Sequence, residues 1–227
     1  MLIKHFPVAT VFIIVLNGII FAFGLLSGEQ THIIQNYGFI PNQIFNVQNE
    51  QQNALTSLLQ PSEPHSSLSL SSVPDSLTRL FASMFVHANI AHIAFNLVAL
   101  AYLGVYAERA IGVPRYVLIY LTSGVVAALF HGAIASYILH NGNVALIGAS
   151  GAISGVLGIA AVTGNTRAYY WLALQIVFAV IGSISSLPIA FSAHVGGFIA
   201  GVAMTKVLVR LEQSKRKSKF FRSPEKN

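Results

Sequence analysis

Apolar residues in this chain fall into long blocks rather than alternating with polar ones. The first, "VATVFIIVLNGIIFAFGLL", fills positions 8 to 26, and five further hydrophobic stretches follow it. A helix of about 20 residues crosses a hydrocarbon layer of about 30 Å. The blocks predict helices over 8–26, 80–106, 114–134, 148–163, 169–187 and 190–208. The expected fold is all-α, a polytopic membrane bundle of six transmembrane helices. The first block is long for the apolar region of a secretion signal and has five successors, so it reads as a retained span.

Between the first two blocks lies a Gln-, Ser- and Pro-rich stretch too broken to span. Its apolar pieces "YGFI" and "NQIFNV" leave room for a partly ordered loop resting in the membrane interface. The predicted organisation is one membrane domain over 1–210, containing a long non-cytoplasmic loop at 27–79, and a basic cytoplasmic tail at 211–227.

Composition strengthens this reading. Of the 227 residues, 54% are hydrophobic and 9% charged, against about 25% charged in soluble domains. The net charge of +6 does not call for nucleic acid, because the cations mark alternate loops. Lys4, Arg109, Arg115, Arg167, Lys206, Arg210 and the terminal "KRKSKFFR" lie on one side, whereas Glu29, Glu50, Glu63 and Asp75 share the other with Arg79. The positive-inside rule then puts both termini in the cytoplasm. The tail would also attract anionic lipid. The absence of cysteine excludes disulfides, thiolate metal sites and cysteine nucleophiles.

Polar side chains inside such blocks need a partner or a function, since burial without one costs several kcal/mol. His87, His92 and Asn96 sit near the outer end of the second block, with His92 and Asn96 four residues apart and so on one helical face. Ser150 opens the fourth block, where Gly151, Ser154, Gly155 and Gly158 form small-residue stripes. His194 opens the sixth, beside Gly197 and Gly201, a Gly-x-x-x-Gly pair suited to docking on those stripes.

Alternating topology brings these polar residues to one side at similar depth. An imidazole beside a serine can remove its proton and make it a nucleophile. All seven carboxylates lie in loops, at span ends or in the tail, so the expectation is a Ser150–His194 dyad without an acid. His92, the Asn96 amide and the Ser150 backbone N–H are the natural donors to an oxyanion. Helix–helix hydrogen bonding, zinc held by His87, His92 and His194, and a transporter's polar pathway are the other readings. His131 and His140 are expected to bond locally or face solvent, and Glu108 to be structural.

These motifs resemble those of the rhomboid family of intramembrane serine proteases over roughly Arg79 to Gly201. "GASG" at Gly148 to Gly151 is similar to the family's Gly-x-Ser-Gly nucleophile motif, and "AHVGG" to the segment holding its histidine. The resemblance implies catalytic roles for Ser150 and His194. "HANIAHIAFN" matches the family's His-x4-His-x3-Asn pattern, which implies oxyanion stabilisation by His92 and Asn96 and support from His87. Gly148, Gly151, Gly197 and Arg79 are further supporting positions.

Two positions depart from the family pattern. Thr78-Arg79 stands where the family has Trp-Arg, and Ser154 where a tyrosine commonly packs on the histidine. The resemblance further implies cleavage of transmembrane protein substrates near the outer face of a bacterial plasma membrane, with no cofactor. A rhomboid-like protein that binds transmembrane segments without cutting them is the rival within the family.

Overall fold

Helix α1 (Val8–Ser27) turns a face of Ala9, Thr10, Ile13, Asn17, Phe21 and Gly24 inward. Its opposite face leaves Val8, Phe12, Val15, Ile19 and Phe23 exposed. With Ala9, Thr10, Asn17 and Gly24 among the inward residues and these bulky apolar side chains on the outer face, α1 suits lipid as the surrounding medium. The structure is a computed structural model that describes residues 6–45, 72–184 and 190–222, with side chains described outside 72–75, 178–184 and 215–222. Lys4, the polar stretch 46–71 with Glu50 and Glu63, the close of the expected fifth span and the last tail residues lie outside the described residues.

The start of the long loop is ordered. Helices α2 (Gln30–Tyr37) and α3 (Asn42–Phe45) flank Phe39. The Phe39 N–H donates to Leu146 O at 3.0 Å and the Leu146 N–H to Phe39 O at 2.7 Å, tying this segment to the loop ahead of the central helix. Helix α4 (Ser72–Ala82) runs into a tight turn, Ser83–Phe85, before helix α5 (Ile90–Ile111) begins.

That turn corrects the expected single helix over 80–106. Asn89 is extended, and its side-chain oxygen accepts from the His92 N–H at 2.9 Å. The cap satisfies one of the free N–H groups at a helix start, so α5 begins at Ile90 and His87 sits in the turn ahead of it. Within α5, Leu100–Gly104 widens to a π-helical turn. Gly112, at φ 82°, separates α5 from α6 (Val113–Tyr137), whose first turn accommodates Pro114.

Helices α7 (Ser150–Val162), α8 (Arg167–Ile184) and α9 (Phe191–Arg222) complete the bundle. Six helices stand where six were expected, although α9 continues well beyond 208 into the basic tail. Val8–Ser27, Ile90–Ile111, Val113–Tyr137 and Phe191–Ser214 are long and apolar enough to cross a membrane. Helix α7 has 13 residues, a length of roughly 20 Å. The chain has an all-α polytopic membrane fold.

Helix α7 is the centre: every residue from Gly151 to Ala160 is buried. Small residues make that possible. A β-carbon on Gly197 would collide with the Gly151 carbonyl oxygen, and one on Gly201 would lie 2.6 Å from Gly155 Cα. On its other side α7 meets α6, where a β-carbon on Gly151 would lie 2.7 Å from Ala127 Cβ. The predicted Gly-x-x-x-Gly docking is the α7–α9 seam.

At the far end, the Glu108 carboxyl group accepts from the Ala9 N–H at 3.1 Å, the Thr10 N–H at 2.7 Å and Thr10 Oγ1 at 2.7 Å. It closes the start of α1 against the end of α5. Arg115 pairs with Glu212 across α6 and α9 at the same end.

Candidate active site

The site is built around one backbone bend. Gly148 adopts φ 108°, a conformation that a side chain disfavours, and its N–H donates to Ser83 O at 2.8 Å. The chain then turns directly into α7, which starts at Ser150. A cavity of about 20 Å³ lies beside Ser150, lined by Ser83, Met84, Gly148, Gly151 and Ala152 among others. That is space for one water molecule.

His194 lies in the first turn of α9, and the Gly197–Gly151 contact holds that helix against α7. Its Nε2 is 2.9 Å from Ser150 Oγ. Residues 44 positions apart therefore form a serine–imidazole hydrogen bond at one end of the bundle. With Nε2 unprotonated, the hydroxyl donates to the ring. His194 Nδ1 is buried and has no hydrogen-bond partner among the described residues.

His92 and Asn96 approach from α5. A β-carbon on Gly148 would lie 2.6 Å from His92 Nε2 and 3.9 Å from Asn96 Nδ2, so both side chains border the residue two before Ser150. Asn96 Nδ2 also donates to His92 O at 3.0 Å. The His87 ring packs edge-on to His92, with centroids 5.0 Å apart. Ahead of the α5 span and only 1% exposed, the His87 imidazole has its pKa lowered to about 3, chiefly by burial and then by His92. His87 is thus neutral near pH 7.

The remaining supporting residue acts farther out. Arg79 Nη1 donates to Gln35 O at 2.7 Å and Gly38 O at 3.1 Å, holding the turn after α2. Gln30 Nε2 donates to His87 O, linking α2 to the turn before α5. Among the described residues no three His, Asp or Glu side chains converge as metal ligands, which leaves the zinc reading without a geometry.

Three relationships were missed from sequence. Ser154, in the position where a tyrosine was the common residue of the resembled family, donates from Oγ to Ser150 O at 2.9 Å and lies 3.3 Å from Gln175 Oε1 of α8. The aromatic ring against His194 is instead Phe191, edge-on at 6.4 Å between centroids. His131, expected to bond locally or face solvent, is half-buried with Nδ1 2.7 Å from Ser192 Oγ. Its position near the same end of the bundle was the available signal, but its partner was not legible.

A helical membrane bundle thus carries a serine–imidazole pair at one end of its central helix. Residues 74–211 match the sequence model of the rhomboid domain, and the chain belongs to the rhomboid family. It is an integral membrane protein. It is 34% identical over 157 residues to rhomboid-type serine protease 2 of Emericella nidulans, covering 65% of this chain and 30% of that protein. It is 35% identical over 130 residues to the rhomboid protease GluP of Bacillus subtilis, covering 54% and 24%. Against the rhomboid protease AarA of Providencia stuartii it is 30% identical over 149 residues, covering 54% and 53%. The chain thus spans about half the length of these relatives or less.

Proposed function

We propose that the chain is an intramembrane serine endopeptidase that cleaves transmembrane protein substrates near the non-cytoplasmic membrane face. The observation that carries this reading is the 2.9 Å contact between His194 Nε2 and Ser150 Oγ. Relatives named as rhomboid proteases support the same reaction class.

In the proposed reaction a substrate segment unwinds, because a helical peptide bond is internally hydrogen-bonded and shielded. Ser150 Oγ attacks the exposed carbonyl carbon while its proton passes to His194 Nε2. The oxygen that becomes negative is met by the Ser150 N–H, His92 and the Asn96 amide; losing one such donor typically costs about 3 kcal/mol. His194 then protonates the leaving amine, and water hydrolyses the acyl-enzyme. Gly148 shapes the approach to Ser150, Gly151 and Gly197 fix the helix seam, and His87 and Arg79 support the surroundings.

A helix of roughly 20 Å cannot reach both surfaces of a layer of about 30 Å. With the end of α7 that leads to Arg167 at the cytoplasmic surface, as the cations favour, Ser150 would meet a substrate below the other surface while water enters from its own side. Reaction of the full chain with a fluorophosphonate in membranes tests the reading. Labelling of wild type that is lost in Ser150→Ala and His194→Ala is expected, alongside loss of cleavage of a membrane-embedded reporter. A Ser150→Ala protein that still cleaves overturns it.

A further inference from the structure

A base without an acid partner must be oriented by other means. His194 Nδ1 meets no partner among the described residues, and the position four residues after Ser150 holds a serine that bonds to the Ser150 carbonyl instead. Ring orientation then depends on where the first turn of α9 is placed.

That turn is gripped from α6 at two points. His131 Nδ1 lies 2.7 Å from Ser192 Oγ, and Ser192 is two residues ahead of His194. The preceding residue, Phe130, fills the space over Gly196, two residues beyond His194: a β-carbon there would lie 2.8 Å from Phe130 Cβ. Adjacent residues of α6 thus hold α9 on both sides of the base, one by a hydrogen bond and one by packing. Either ring tautomer of His131 preserves the bond, since the serine hydroxyl can donate or accept.

We propose that His131 is a positioning residue for the reaction: through Ser192 it sets the first turn of α9 so that His194 Nε2 faces Ser150 Oγ. The proposal rests on the dyad reading above. Misplacement of a reacting group by about 1 Å can cost on the order of 100-fold in rate, so a modest rotation of this turn suffices to be seen.

The test uses the full chain in mild detergent, with Ser192→Ala, Ser192→Thr and His131→Phe. Fluorophosphonate labelling is measured per folded protein, and the ring NMR signals of His194 are assigned by their loss in His194→Ala. Ser192→Ala and His131→Phe are expected to slow labelling by about 10- to 100-fold and to move the His194 signals. Their combination should be no slower than either alone, and Ser192→Thr should restore the rate. Unmoved His194 signals in both Ser192→Ala and His131→Phe overturn the proposal, whether labelling is unchanged or falls only with folded protein. A wild type that does not label refutes the protease reading, while the His194 signals still decide positioning.

Discussion

Gly148 faces His92 so closely that a β-carbon at position 148 would lie 2.6 Å from His92 Nε2. The same residue has φ 108°, so Gly148→Ala combines backbone strain with a collision against a proposed oxyanion donor. Strain of this kind costs about 1–3 kcal/mol. The expected result is at least about a 10-fold loss of reporter cleavage together with a lower thermal midpoint. Gly18→Ala is the control: it lies within α1, and nothing lies within 4 Å of its added methyl. That variant should retain activity and stability.

Gly197 tests the seam rather than the reacting groups. A methyl there meets the backbone carbonyl of Gly151, which has no rotamer through which to yield. Overpacking typically costs about 1–3 kcal/mol, occasionally more. Gly197→Ala is expected to lower the thermal midpoint in detergent and to reduce fluorophosphonate labelling even of the folded fraction, because α9 carries His194. Thermal unfolding and labelling rate on the same sample check both effects.

The helices were legible because membrane spans are written as uninterrupted apolar blocks, and Ser150 and His194 were legible because both open such blocks among glycines. Contacts between distant polar side chains left no comparable trace. His131 and Ser192 lie 61 positions apart, and neither carries a pattern naming the other. The early start assigned to the second helix failed for a local reason: apolar character runs through Phe85 and Val86, but the Asn89 cap places the helix start at Ile90. The Phe39–Leu146 bridge was equally invisible, since its two reciprocal bonds use only backbone atoms.

His87 predicts a component of acid sensitivity. Burial lowers its folded pKa to about 3 from 6.5, so between those values the unfolded chain binds the extra proton. Its contribution to stability is therefore complete above about pH 6.5 and is lost as pH falls toward 3. Replacing it with a side chain that does not titrate, in His87→Asn, should flatten the dependence of stability on pH over that window. Thermal midpoints of wild type and variant across pH 4 to 8 provide the measurement, and parallel curves would contradict the assignment.

Orientation can be tested independently of catalysis. The loop 138–149 precedes Ser150 and shares its end of the bundle, whereas Arg115 and Glu212 pair at the opposite end. The cations that set the predicted orientation include Arg109 in the last turn of α5, Arg115 and Arg167 in the first turns of α6 and α8, and Lys206 and Arg210 in the later part of α9, toward that opposite side. Because the chain contains no cysteine, single cysteines introduced at exposed Asn141 and Gln213 provide clean labels. In sealed, right-side-out vesicles an impermeant maleimide should reach position 141 directly and position 213 only after permeabilisation. Labelling of both positions before permeabilisation would refute the arrangement, and reversed accessibility would move the proposed cleavage to the cytoplasmic side.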